Sequence, residues 1–582
     1  MANESIKGEA CQLKGVLATE FDSYYQIPIY QRPYQWTEEN CKKLLDDLLS
    51  SYEYYKESDY FCGSLVLIAI GTDSATNAKT YDVVDGQQRL STFILLAKVL
   101  ADLYNGLDPE YLEYLQESWK DRYTERKRLS FNTIGSNAED DFAYALEHFS
   151  DSQASNNKNN KNNYLKNAVC LKDYLREKEI KNINDFIEWL YSNVKFITII
   201  CPSIDKALRI FNVLNARGLA LNAIDVFKVE LLKKLANKKD QEEFVSRWSA
   251  LHQKCSGNES KFPKRKENKR EKNATETLFS WYLTYLNPVT SGKSMEERLA
   301  DQFERLNKLP LEYLKGVEDF YNAYCKVLEM QDWHAHLLSY LASDFWRVIL
   351  CTSILHHYSD QDIKALKELL VKFYYQNWVA EQTEPKKQTN CNIIKALKEK
   401  QSVENIASIV KKYFKDENTT QRFKENLQDD HLYEKHKKAS KNSWLRPILI
   451  LVEYSMSDDP RPKRIEKDDF HIEHILPQNP DPSSQWVKDF SEEERGLYTH
   501  SLANLTLLGG KKNTQASNLD FKDKKKIYMG EEIKLNKKKP FKVMTCYKMT
   551  IDIAHHYAEW TPKSLEKRKE ELIKRIESVL AL

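Results

Sequence analysis

The chain has no Cys-x-x-Cys pair, no apolar run long enough to span a bilayer and almost no net charge. Its ten cysteines stand singly at 11, 41, 62, 170, 201, 255, 325, 351, 391 and 546, so no zinc ribbon is encoded. Scattered single cysteines read as reduced core residues. The opening stretch Met1–Lys7 lacks the charged and apolar regions of a secretory leader, and a cytoplasmic location is expected. The longest apolar runs, Ser64–Ile70 and Pro447–Val452, fall far short of the roughly 20 residues a membrane helix needs, so no membrane role is expected. Lysine and arginine total 88 against 86 acidic residues, a formal charge of +2, with 41% hydrophobic and 30% charged residues. That balance describes a globular protein and excludes a wholly disordered or collagen-like chain. A length of 582 residues predicts two to four domains. A complete phosphate-binding P-loop is also missing. Ser291-Gly-Lys-Ser294 resembles its tail, but Asn287 stands where the first glycine belongs. Ser294-Met-Glu-Glu297 fits a helix-capping box instead.

Turning to what is present, Tyr60–Ile70 and Thr80–Val84 read as two strands of a hairpin across a polar turn at 71–79. Leu90–Tyr104 has the spacing of an amphipathic helix, which leaves Asp85–Arg89 on the turn between strand and helix. Ser152–Asn163 is a low-complexity surface loop. Val194–Ile200 reads as a strand, Ile204–Val213 as a helix, and Asn215–Leu219 as a turn. From Ala223 to about Ser455 the pattern is mostly helical, interrupted by a basic loop near 255–275. Asp458–Lys463 is a proline-containing linker, and Thr561-Pro562 opens a terminal helix. Charge is uneven: between Lys511 and Lys548 twelve lysines meet four acids, and Lys261–Arg270 is a second basic run. Such runs are usually solvated loops or helix faces, and they gain meaning only beside a phosphate-directed site.

The most chemical stretch is Phe470–Asn479, which carries His471, Glu473, His474 and Pro477, followed by Asn504 in an apolar segment and Asn513 in a Lys-Lys-Asn-Thr context. Phosphodiester hydrolysis needs a base to deprotonate water and a cation to stabilise charge on the phosphate and leaving oxygen. A neutral histidine suits the first task. A carboxylate and an amide carbonyl are hard oxygen ligands for Mg²⁺, whereas a zinc hydrolase would want more His or Cys. These residues resemble the HNH, or ββα-metal, nucleases. The resemblance implies His474 as general base, Glu473 and Asn513 as metal ligands, and Asn504 bracing the loop and base. Strict alternation puts His471 and Glu473 on one strand face and His474 on the other, so the strand must end or bulge at His474. His471 is open between a further ligand and a core or surface role.

Two N-terminal motifs stand out: Ile27–Trp36, containing Tyr30, Arg32 and Tyr34, and Val84–Leu90, containing Asp85, Gly86, Gln87, Gln88 and Arg89. Helix N-terminal amides with an arginine favour a phosphate, and Asp85 suits a metal ion or a ribose hydroxyl. Trp36 reads as core, while Arg32 among aromatics needs a partner, which phosphate or Asp85 would supply. With Phe211–Gly218, Asp225 and Lys228, this half resembles the GmrS-type domains of modification-dependent (type IV) restriction systems. The C-terminal part, including His500, the Leu505–Leu508 core and Asn518–Lys522, resembles the partner GmrD-type nuclease. Ala503 departs from the glycine the family often has there.

The resemblance implies an α+β, predominantly helical chain: a nucleotide-binding, ParB-like α/β sensor over 1–235, a helical connection over 236–457 and an HNH domain over 458–582. It implies a nucleotide-regulated, metal-dependent endonuclease cutting modified or foreign phage DNA. Mg²⁺ or Mn²⁺ is expected, with Ca²⁺ a further option, together with a nucleoside triphosphate held by Arg32 and Asp85–Arg89 and hydrolysed. Lys511, Lys512, Lys524, Lys525 and Lys526 would grip the backbone of double-stranded DNA. Two alternatives stay open: a nucleotide-dependent DNA-binding module whose HNH-like part is structural, and a toxin-like nuclease acting on host nucleic acid. The DNA modification read, the preferred nucleotide and the oligomeric state, a homo-oligomer included, are likewise open.

Overall fold

The computed structural model describes residues 6–18, 23–28, 31, 34–72, 78–122, 124–132, 137–151, 162–178, 180–203, 206–207, 210, 223–263, 266–267, 270–271, 273–438, 443–466, 469–531 and 544–582. It is α+β and predominantly helical, and it divides into two compact units. One comprises Met1–Glu276 with Ser294–Leu314, the other Thr277–Lys293 with Lys315–Leu582.

The first unit is built on a mixed sheet of six strands: β1 (Lys7–Gln12), β2 (Ser23–Ile27), β3 (Tyr60–Thr72), β4 (Lys79–Asp85), β5 (Leu129–Phe131) and β6 (Val194–Cys201), in the order β1-β6-β3-β4-β2-β5. The expected hairpin is present as the antiparallel pair β3–β4, and the expected strand at 194 is β6, parallel to β3. The unbroken apolar run in β3 follows from burial on both faces. Leu65 and Leu67 join the main core, while Val66 packs with Val84, Cys201, Ala207 and Val229 in a second cluster. Helices α1 (Glu38–Tyr54), α2 (Gln87–Leu103), α3 (Asn163–Glu177) and α4 (Ile183–Asn193) supply most of the main core. The expected helix and turn over 204–219 lie largely outside the described residues.

Among its described residues the second unit is helical apart from one small ladder. It contains α5 (Asp360–Glu381), α6 (Leu432–Lys438) and α7 (Leu445–Ser455), then β7 (His471–His474) and β8 (Leu505–Leu508), then α8 (Gly510–Ala516), α9 (Phe521–Met529), α10 (Lys548–His556) and α11 (Pro562–Leu580). The helical character expected between 223 and 455 is observed. The capping box at Ser294 is formed, and Thr561 caps α11 with Pro562 at its first position. The 458–466 stretch is held down: Pro462 O is 2.9 Å from His336 Nε2, and the Tyr340 hydroxyl donates to Ile465 O at 2.7 Å.

Candidate active site

β7 and β8 pair antiparallel, His474 opposite Leu505 and Glu473 opposite Thr506. All four residues of β8 are buried, three leucines and Thr506, whose hydroxyl lies 2.8 Å from that of Thr550, and α8 follows one residue later. β7 ends at His474, so the side chain expected on the far face is released where the pleat stops.

His474 is 7% exposed. Its ring meets the edge of Tyr433 at 4.3 Å between centroids and lies 5.6 Å from His500. Nδ1 is 3.3 Å from Gln478 Nε2, while Nε2 is buried without a partner. Burial, seconded by His500, Lys524 and Lys437, pushes its pKa down to about 3, so the imidazole is neutral at pH 7. Asn504 is wholly buried and clamps the loop behind it. Its Oδ1 accepts from Leu476 N at 2.7 Å and Trp560 Nε1 at 3.2 Å, and its Nδ2 donates to Leu476 O at 2.8 Å and Thr499 O at 2.9 Å. Ala503 does not lie in the left-handed region, so glycine is not needed there.

Glu473 is 4% exposed, and its Oε1 accepts from Lys524 Nζ at 2.7 Å and the Tyr528 hydroxyl at 3.1 Å. The same ammonium donates to His474 O at 2.7 Å. Burial pushes Glu473 up and Lys524 down, each opposed by the partner's charge. Oε2 accepts no hydrogen bond among the described residues. On α8, Asn513 Oδ1 is buried without a partner. His500 Nδ1 is likewise unpartnered, and its Nε2 lies 3.5 Å from Glu434. His471 is exposed, its ring against Gly510 at the start of α8. No cluster of three or more His, Cys, Asp or Glu side chains suited to a metal occurs among the described residues. The oxygen atoms left over, Glu473 Oε2 and Asn513 Oδ1, suit a hard divalent cation that keeps most of its water.

The lysine run resolves into different environments. Lys524 is fully buried in its ion pair, and Lys512 is buried with Nζ bonded to Ile527 O, so neither is placed to meet a DNA phosphate. This corrects the expectation for those two: in a helix over a core, every third or fourth residue turns inward whatever its charge. Lys525 Nζ donates to Tyr557 O at 2.6 Å, Lys526 pairs with Asp523 at 3.0 Å, and Lys511 is exposed. Sequence reasoning missed Tyr433, Tyr528 and Trp560. The four-residue spacing of Lys524 and Tyr528 on α9 was the one available signal, since it puts both on one helix face; Tyr433 and Trp560 reach the site only through the fold.

In the first unit the Asp85–Arg89 turn is a clasp. Gly86 opens α2 at φ 96°, and a Cβ there would meet the Leu65 side chain. Gln88 Oε1 accepts from the backbone N–H groups of Gln35 and Trp36 at 2.8 and 3.0 Å. Arg89 donates to Cys62 O and Ser64 O, both at 2.8 Å, and lies 3.4 Å from Asp85. Its guanidinium fills the space where a side chain on Gly63 (φ 105°) would stand. Gln31 Nε2 donates to Val83 O and Val84 O. Gln87 is buried with Oε1 unpartnered. Tyr34 stacks on Tyr164 at 4.3 Å, and Trp36 packs on the main core as expected. Tyr30, Arg32, residues 211–218 and the Asp225 side chain lie outside the described residues; Lys228 is buried.

Residues 13–232 match the family described as GmrSD restriction endonuclease, N-terminal domain, and residues 417–575 match GmrSD restriction endonucleases, C-terminal domain. The protein is thus a restriction endonuclease, with DNA as its substrate. It belongs to the GmrSD family, with both parts on one chain. A comparison with curated proteins gives no match. Among the described residues, no helix is long and apolar enough to cross a membrane.

Proposed function

We propose that this chain is a nucleotide-regulated, metal-dependent HNH endonuclease that cuts modified or foreign DNA in antiviral defence within the cytoplasm. The observation carrying the reading is His474: a neutral imidazole at a strand end, its Nε2 unpartnered and the loop behind it clamped by Asn504. Nε2 takes a proton from the attacking water as the water oxygen bonds to phosphorus and the bond to the leaving sugar oxygen breaks. Glu473 and Asn513 would hold a Mg²⁺ or Mn²⁺ ion, which when bound offsets charge on the phosphate and leaving oxygen. Lys524 and Tyr528 hold the Glu473 carboxylate in place through Oε1. Exposed Lys511 meets the DNA backbone.

Nucleoside triphosphate binding and hydrolysis in the first unit are assigned to Arg32, Asp85, Gly86 and Gln87, with Gln88 and Arg89 shaping the turn from behind. The test is nicking of plasmid and of modified phage DNA with Mg²⁺ or Mn²⁺, with and without each nucleoside triphosphate, beside His474→Ala. Metal-dependent nicking lost in the variant is expected. Equal nicking by both proteins would refute the role of His474. Nucleotide hydrolysis without nicking of any substrate would favour a DNA-binding module instead.

A further inference from the structure

A cavity of about 630 Å³ lies in the second unit, with Tyr433, the neighbour of His474, in its wall. Tyr433 lines it and at the same time packs its ring against the His474 imidazole, and Ile472 of β7 forms another part of its wall. The cavity is therefore separated from the proposed cleavage centre by one side chain. Its size falls within the roughly 300–1,000 Å³ of small-molecule sites.

The walls have the chemistry of a stacking pocket. Trp378 of α5, Tyr340 and Tyr433 contribute aromatic rings, with the buried Tyr374 behind them. Arg446, which lies over the Phe470 ring at 5.1 Å, and exposed Lys437 add positive charge. His436 also lines the space; it is 6% exposed and packs its ring against Trp444 at 4.4 Å, with Nδ1 turned into the protein interior. An interior gap left by imperfect packing is lined by aliphatic side chains and stays dry. This one instead combines aromatic rings with Lys437, Arg446 and a single carboxylate, Glu384, a combination that suits a flat heteroaromatic ring attached to a phosphate.

We propose that the cavity is a nucleobase site, filled by one nucleotide turned out of the DNA duplex beside the cleavage centre. The base stacks between Trp378 and Tyr433, and its flanking phosphates stay at the rim near Lys437. Because Tyr433 touches both the cavity and His474, the base held there is read next to the group that cuts. The proposal deepens the nuclease reading and rests on it for the position of the cleavage centre.

The test uses the full chain without divalent metal, bound to a duplex carrying one 5-iodouracil, either correctly paired or opposite guanine, then irradiated and mapped by peptide mass spectrometry. A mismatched base is cheaper to extrude, so the mismatched duplex should cross-link more strongly, to peptides containing Trp378 or Tyr433. Loss of one stacking partner in Trp378→Leu or Tyr433→Leu should lower the yield roughly tenfold. Cross-links mapping elsewhere on a chain that binds the duplex would overturn the proposal, whether or not the two variants fold. Labelling of the same peptides by free 5-iodo-dUTP, uncompeted by duplex, would keep the base site but overturn extrusion as its source. Nicking with Mg²⁺, wild type against His474→Ala, is measured on the same preparation. Absence of His474-dependent nicking would sink the nuclease reading while the cross-link map still decides the cavity.

Discussion

Replacing Lys524 by methionine removes one charge from a pair that is almost wholly out of water, Lys524 at 0% and Glu473 at 4% exposure. Glu473 then keeps only the Tyr528 hydroxyl on Oε1. Breaking a buried pair in this way typically costs about 3–5 kcal/mol. The loss has a ceiling set by the alternative of protonating the carboxyl. From its ordinary value of 4.5, neutralising Glu473 at pH 7 costs about 3.4 kcal/mol, and roughly 1 kcal/mol more goes with the lost bond to His474 O. A deficit of about 4 kcal/mol is therefore expected at pH 7. In the variant the folded carboxyl titrates above its unfolded value, so stability is retained below the unfolded pKa and lost as pH rises through the folded one. The deficit should accordingly shrink by about 1.4 kcal/mol per pH unit between pH 7 and 5. Urea unfolding of wild type and variant at pH 7, 6 and 5, followed by tryptophan fluorescence, measures this. Adding Glu473→Gln to the variant removes the buried charge and should recover most of the loss. A variant as stable as wild type at pH 7, a deficit independent of pH, or no recovery in the double variant would each refute the reasoning.

Three further outcomes are expected. His334, His436 and His474 are pushed down by burial to about 4, 4 and 3, so the unfolded chain takes up protons that the folded chain excludes. The second unit keeps its full stability above pH 6.5 and loses up to about 1.4 kcal/mol per histidine for each unit below it; urea midpoints unchanged between pH 7 and 5 would contradict this. Asn504→Ala leaves the amide and carbonyl of Leu476 without partners and should cost about 3 kcal/mol, visible as faster hydrogen exchange over 474–477; wild-type exchange there would remove the clamp. Gly63→Ala forces the Arg89 guanidinium off Cys62 O and Ser64 O at a position with φ 105°, and should destabilise the first unit by about 2–4 kcal/mol; an unchanged melting curve would show that the clasp is dispensable.

Much of the local structure is legible in the sequence, because it depends on neighbours along the chain. The β3–β4 hairpin, β6, the helix after the Asp-Gly turn and the caps at Ser294 and Thr561 follow from alternation, helical spacing and side chains that reach back three residues. The grouping of His474 with Asn504 was also within reach, since a strand ending in His and a second apolar segment ending behind it can pair in one obvious register. The environment of individual charges was not. Lys524 and Lys511 belong to one basic run, yet one is sealed against Glu473 and the other is exposed. Composition measures how much charge a segment carries, whereas the direction of each side chain depends on which helix face meets the core.

The same division applies to Gln88 and Arg89. On the page they are an amide and a guanidinium at the mouth of a helix, suited to a phosphate; in the fold they meet backbone carbonyls and amides of β3 and the 35–36 segment. By itself the sequence determined the order of elements, the types of chemical group available and the family they belong to, all of which reside in local pattern and residue identity. Only the tertiary structure decided which of those groups are left unpartnered. His474 Nε2, Asn513 Oδ1 and the Tyr433-walled cavity are visible only once segments distant in sequence have packed and used up their neighbours' hydrogen bonds.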